Sequence, residues 1–224
     1  MAHKSGFVNI LGNPNVGKST LMNLLTGEKL SIITPKAQTT RHRILGFVNS
    51  DDYQVVFSDT PGILKPNYRL QQSMMKFVSS ALEDADIFLY ITDVIEKTGK
   101  NPQYIEKINK SQIPVLLIIN KIDLASSSKI EALKKEWSQL MPDAEIFAIS
   151  ALKKINTDKI FNRILELLPE FPPYYPKDEQ LTDRSERFFV SEIIREKILQ
   201  NYTKEIPYSV EVNVEEFKES EEII

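Results

Sequence analysis

Along the first 168 residues, short apolar runs alternate with amphipathic segments. Residues 7–11 predict a strand, and residues 18–26 a helix stopped by Gly27. Residues 44–48 and 54–58 are two β-prone runs, joined as a hairpin by the polar stretch Asn49-Ser50-Asp51-Asp52. A helix is predicted from about Tyr68 to Asp84. Residues 87–92 and 115–119 are almost continuously apolar, as strands buried on both faces of a parallel sheet must be. A helical stretch around residues 103–109 separates them. A helix over 128–140, a strand over 146–149 and a helix near 155–168 follow. Strands that alternate with helices predict an α/β fold with a mainly parallel sheet flanked by helices.

The pattern changes at Pro169-Glu170-Phe171-Pro172-Pro173-Tyr174-Tyr175-Pro176, where four of the twelve prolines fall in eight residues. Such a segment cannot continue a helix and favours extended backbone. Residues 1–168 therefore read as one domain, 169–186 as a Pro-rich linker and 187–224 as a second unit. In that unit a helix is predicted over 187–204, with Val190, Ile194, Ile198 and Tyr202 along one face. Tyr208, Val210, Val212 and Val214 then alternate with polar residues, the signature of a one-sided strand. One helix and one strand cannot enclose a core, so this unit reads as incomplete.

Composition narrows the field. The absence of cysteine excludes disulfides and any Cys-based metal site, and fits a reducing compartment. No stretch approaches the roughly 20 apolar residues of a membrane span, and Met1–Gly6 has no apolar core for a signal peptide, so the chain reads as cytoplasmic. The net charge of −3 points to neither nucleic acid nor membrane, but it is unevenly spread. Residues 171–224 hold 13 acidic and 7 basic side chains, a net of −6, which leaves +3 on residues 1–170.

Four loops carry the chemistry. Gly12-Asn13-Pro14-Asn15-Val16-Gly17-Lys18-Ser19 has the form GxxxxGKS between a predicted strand and a predicted helix. Its backbone N–H groups make an anion nest, reinforced by the helix N-terminus that Lys18, Ser19 and Thr20 open. Gly12 and Gly17 permit the tight path, Lys18 is placed to reach the β- and γ-phosphates, and the Ser19 hydroxyl to ligate Mg²⁺. Asp59-Thr60-Pro61-Gly62, continued by Ile63, ends an apolar run. There Asp59 is a metal-ligand candidate and the Gly62 N–H a γ-phosphate contact. Asn120-Lys121-Ile122-Asp123 ends another. Asp123 can accept two hydrogen bonds from guanine, an edge that adenine lacks; Asn120 would tie this loop to the phosphate loop, and the Lys121 stem would cover the base. Ser150-Ala151-Leu152 follows a further strand, with the Ala151 N–H as a donor to the guanine carbonyl. All four lie at strand C-terminal ends, where open α/β sheets bind ligands. Between the first two lies Lys36-Ala37-Gln38-Thr39-Thr40-Arg41-His42-Arg43, in which Thr40, with Thr39 as the fallback, would bind Mg²⁺ and the γ-phosphate. His42 reads as a loop residue and His3 as part of a disordered terminus. These motifs match GTPases of the P-loop class, with GTP and GDP as ligands.

The strings GNPNVGKSTLMN, KAQTTRHRI, FSDTPGI and NKID, with RFFVSEIIREK and EIPYSV beyond the linker, closely resemble the Era family of bacterial GTPases. The resemblance covers nearly the whole chain. It implies a P-loop GTPase domain followed by a KH domain that binds the 3′ region of small-subunit ribosomal RNA. It also implies a role in ribosome assembly, with peripheral contact at the inner face of the cell membrane; the chain itself is expected to be a monomer. The sequence departs from the family where a KH domain clamps nucleotides, since no GxxG loop occurs after residue 187. The second unit is thus expected to be an incomplete α+β KH-like segment, truncated after its first helix and strand, without the clamp that RNA binding requires.

Hydrolysis is expected by positioning and charge stabilisation, with Lys18, Thr40 and Gly62 as the catalytic set. Ile63 occupies the place after Gly62 where many GTPases carry a water-orienting Gln, so intrinsic turnover should be slow. Asn15 either supplies an amide oxygen to a stimulating K⁺, as in relatives of this family, or serves only the loop turn. Three functions are weighed at this point: a switch reset by its own GTPase activity, a nucleotide-gated binding module with negligible hydrolysis, and a tRNA-modification or other ribosome-assembly GTPase, against which the KH-like tail argues.

Overall fold

A computed structural model describes residues 2–177, 180–203 and 209–216. Six strands form one sheet in the order β2-β3-β1-β4-β5-β6. They are β1 (Lys4–Gly12), β2 (Ile44–Asn49), β3 (Tyr53–Asp59), β4 (Ile87–Asp93), β5 (Val115–Asn120) and β6 (Glu145–Ala148). All neighbours are parallel except the β2–β3 hairpin at one edge. The α/β expectation holds, and the elements of the first 168 residues fall within a few residues of their predicted places.

The sheet is apolar on both faces because helices cover both. On β4, Ile87, Leu89 and Ile91 join a cluster with Leu21 and Met22 of α1 (Lys18–Thr26) and Ile160 and Ile164 of α5 (Asp158–Leu167). The alternate residues Phe88 and Tyr90 pack with Met74 and Val78 of α2 (Arg69–Glu83), Ile105 and Ile108 of α3 (Pro102–Lys110) and Trp137 of α4 (Ser127–Leu140). The period of two along the strand thus feeds two cores. The parallel crossovers leave every strand C-terminus except that of β2 at one rim, where the four motif loops emerge.

The Pro-rich segment is a strap rather than a free linker. Ser5 N–H donates to Pro169 O (3.1 Å), and the buried Gln54 amide accepts from Tyr174 N and Tyr175 N while donating to Tyr175 O. Tyr175 stacks on Phe47 at 4.3 Å. Further on, Phe47 N–H donates to Leu181 O and Gly46 bridges Thr182 in antiparallel fashion, which covers the otherwise free β2 edge. His3 belongs to this arrangement: its carbonyl accepts from Phe171 N (3.0 Å), so the disordered-terminus reading is corrected.

Beyond the strap, α6 (Glu186–Asn201) forms as predicted but buries a different face. Glu192, Arg195, Glu196 and Leu199 are buried, whereas Ile194 and Tyr202 are 43% and 52% exposed. The polar face wins because it has partners. Arg195 pairs with Glu192 (2.5 Å) and donates to Thr39 O (2.6 Å), while Glu196 accepts from Lys29 and from Ile33 N. The predicted strand is also corrected: residues 210–216 are irregular, and Arg41 donates to Val210 O. Among the described residues no strand pairs with this segment, so the alternating pattern has no ladder to join. Tyr208 and Lys204 lie outside the described residues. Among the described residues no helix is long and apolar enough to cross a membrane.

Candidate functional site

The chain leaves β1 through Gly12, turns at Asn15 (φ 64°) and enters α1 through Gly17 (φ 98°). Glycine at 17 is forced twice. Its φ lies in the left-handed region, and an added Cβ would sit 2.3 Å from Asn120 Nδ2. The four motif loops meet around this turn. A cleft of about 360 Å³ is lined by Gly17, Lys18, Ser19 and Thr20, by the loop from Ile32 to Thr40, and by Gly62 and Lys121.

At its floor, Ser19 Oγ donates to Asp59 Oδ2 (2.6 Å) and lies 3.0 Å from Thr40 Oγ1. One carboxylate and two hydroxyls therefore converge, an all-oxygen set that suits a hard divalent cation. Asp59 is fully buried, and its Oδ1 has no hydrogen-bond partner among the described residues. A buried, half-satisfied carboxylate is costly unless a cation or donor completes it, so the donor set fits Mg²⁺. Burial pushes the Asp59 carboxyl upward, opposed by the Ser19 hydrogen bond and by Lys18. Burial also pulls the Lys18 ammonium down to about 8, against the attraction of Asp59 and Glu96. Lys18 Nζ donates to Asn13 O (2.8 Å). Thr40 is thus the threonine at the centre. The Thr39 hydroxyl is engaged elsewhere, with Thr34 and Lys36 O at 2.6 Å each, and its part is structural.

The base side is held by Asn120. Its Nδ2 donates to Val16 O (2.9 Å), while Oδ1 accepts from Lys121 N and Ala151 N. The expected tie from this loop to the phosphate loop is therefore made. The Ala151 N–H, expected to meet guanine, is directed to Asn120. Asp123 lies in a single 3-10 turn, Ile122–Leu124, and is exposed. Ser150 is buried and Leu152 is 75% exposed. Lys121 Nζ bridges Asn15 O (2.6 Å) and Asp93 Oδ2 (2.5 Å).

The side chains of other predicted site residues are engaged elsewhere. Val16 and Ile63 bury their side chains in the two cores, Thr60 Oγ1 bonds Ile10 O, and Pro61 is buried. Gly62 lies against Pro14, where an added Cβ would be 2.6 Å from Pro14 N. Asn15 Nδ2 reaches across to Pro35 O (3.0 Å), linking the phosphate loop to the Thr40 loop. His42 is exposed but makes edge contacts with Phe77 and Phe188, and partial desolvation lowers its pKa. Three functional neighbours were missed in the sequence: Asp93, Glu96 and Asn101. Asp93 had a usable signal, since it ends the apolar run of β4 as Asp59 ends that of β3. Glu96 and Asn101 carry no motif.

Comparison with known proteins agrees with this geometry. Residues 7–121 match the model of the 50S ribosome-binding GTPase family. GTPase Era of Caldicellulosiruptor saccharolyticus is 47% identical, over 99% of this chain and 74% of that protein. GTPase Era of Clostridium perfringens is 43% identical, over 97% and 74%. Among solved structures, Era in complex with MgGDPNP and nucleotides 1506–1542 of 16S ribosomal RNA superposes with a TM-score of 0.90. It is 40% identical, over 98% of this chain and 74% of that one. An Aquifex aeolicus Era variant bound to GDP·AlF₄⁻ matches with the same score and identity, over 97% and 74%. The cleft, the four loops and these relatives lead to one conclusion: the chain belongs to the Era family and is a GTPase.

Proposed function

We propose that this GTPase is a ribosome-assembly switch whose nucleotide state governs engagement of the 3′ region of small-subunit ribosomal RNA in the cytoplasm. The observation that carries the site reading is the convergence of Ser19, Thr40 and the unsatisfied Asp59 Oδ1 beside Lys18. In this reading Ser19, Thr40 and Asp59 hold Mg²⁺, the ion present in the Era–GDPNP–RNA complex. The ion neutralises charge on the β- and γ-phosphates when bound. Lys18 and the N–H groups of residues 13–20 hold the phosphates, and the Gly62 N–H meets the γ-phosphate. Asp123 accepts from guanine, with Asn120, Lys121 and residues 150–152 shaping the base pocket. The RNA role rests on the relative solved with nucleotides 1506–1542 of 16S ribosomal RNA.

The side chain directly after Gly62 offers no water-orienting group, since it is Ile63 and is buried. We assign the missing charge stabilisation to K⁺ held with the help of the Asn15 amide oxygen. The link from Asn15 Nδ2 to Pro35 O supports this, because it fixes the amide at the cleft and leaves its Oδ1 as the acceptor a cation would take. The test is phosphate release with Mg²⁺, comparing GTP with ATP, each in KCl and in NaCl. Turnover of GTP alone, faster in K⁺ and no longer K⁺-stimulated in Asn15→Ala, is expected. Equal rates in both salts would remove the K⁺ site, and equal use of ATP would remove the Asp123 assignment.

A further inference from the structure

We propose that Asn101 is a positioning residue for the GTPase reaction, clamping the loop after Gly62 to the phosphate loop so that the site favours a nucleotide bearing a γ-phosphate. The proposal rests on the reading of the Gly62 N–H as a γ-phosphate contact.

Asn101 occupies the N-cap of α3, where asparagine normally serves because its side chain accepts from the first turn. Here it makes no such cap. Its backbone is left-handed (φ 56°, ψ 55°) although it precedes Pro102. Both features cost stability, and together they turn the side chain toward the nucleotide site. Asn101 Nδ2 donates to Asn13 Oδ1 (2.5 Å) in the phosphate loop and reaches Ile63 O (3.4 Å) just past Gly62.

The polarity of this contact is set from the far side. Asn13 Nδ2 donates to Glu96 Oε2 (2.6 Å), and Thr92 Oγ1 donates to Glu96 Oε1 (2.6 Å). A carboxylate flanking the Asn13 amide obliges its nitrogen to face Glu96 and its oxygen to face Asn101. The same Asn13 offers its main-chain oxygen to Lys18 Nζ. Residue 63 is therefore tied at both ends: its N–H donates to Gly12 O (3.0 Å) and its carbonyl lies on Asn101. Its side chain is locked in the core. The clamp holds the Gly62 peptide next to the phosphate loop, which reduces the ordering cost of γ-phosphate binding. A diphosphate does not use Gly62 and gains nothing from the clamp.

The test compares affinities of the full chain, with Mg²⁺, for fluorescent GDP and for a non-hydrolysable GTP analogue. Asn101→Gly removes the amide but accepts the left-handed backbone. Asn101→Asp keeps the shape but replaces the donor with an acceptor facing Asn13 Oδ1. Both variants are expected to hold GDP affinity within about twofold and to lose about fivefold in analogue affinity, the scale of one hydrogen bond. Equal losses for both nucleotides, or none, would overturn the clamp. The Gly62 amide proton of the parent chain, followed by NMR with GDP and with the analogue, separates the two levels. If the analogue leaves its shift where GDP does, the γ-phosphate reading of the loop falls, and the clamp with it. If the analogue moves it while the Asn101 variants keep the analogue-to-GDP ratio, the clamp alone falls.

Discussion

At the scale of single residues, the site is built from groups that burial has made unhappy alone. Lys18 is 6% exposed and its ammonium titrates near 8. A group with a depressed lysine pKa binds fewer protons folded than unfolded between about 8 and the ordinary 10.5. The stability of the empty protein should therefore rise across that window, because the unfolded chain must hold the proton that the fold rejects. Phosphate restores the charge. Nucleotide binding then takes up a proton above pH 8, so the affinity for GDP without Mg²⁺ should fall up to about tenfold per pH unit there. Calorimetry in buffers of different ionisation enthalpy checks the uptake; a flat affinity from pH 7.5 to 9.5 would exclude it. These burial effects could not be read from the motif. GxxxxGKS names Lys18, but its environment comes from Asn13, Asp59 and Glu96, up to 78 positions away in the chain.

At the scale of elements, the strands and helices of the first 168 residues were legible because each carries one clear period. The strand runs of β4 and β5 are apolar throughout, and their helices are amphipathic. Helix α6 was placed correctly, but the regular spacing of Val190, Ile194, Ile198 and Tyr202 along one face did not name the buried residues, which are Glu192, Arg195, Glu196 and Leu199. Periodicity reports which face is apolar, whereas burial depends on what lies opposite. Here the opposite surface is the Thr39–Thr40 loop, with free carbonyls and N–H groups that only polar side chains satisfy. The contrast is measurable. Arg195→Met leaves Glu192 buried without its partner and should cost about 3 kcal/mol, a fall of roughly 6–12 °C in Tm. Ile194→Lys should stay within about 0.5 kcal/mol of the parent. Thermal unfolding of the two variants in the opposite order would refute this packing.

At the scale of the molecule, charge and fold divide the work. Residues 171–224 carry a net of −6, so they contribute little to neutralising RNA phosphates. Binding of a fragment from the 3′ region of 16S ribosomal RNA by these 224 residues should be weak, with a log K against log salt slope shallower than about −2. A steep slope would place a basic RNA surface on the domain of residues 1–170. The sequence by itself determined the α/β class, the order of the elements, the four nucleotide loops and the family, because these depend on local spacing and on residue types adjacent in the chain. Only the tertiary structure decided that Thr40 rather than Thr39 joins Ser19 and Asp59, that the Pro-rich segment straps the β2 edge, and that α6 buries its charged face. It alone brought Glu96 and Asn101 to the phosphate loop. The reason is physical: each of these outcomes is a choice among partners far apart in sequence, made by satisfying buried hydrogen-bonding groups, and no periodicity records which partner will be there.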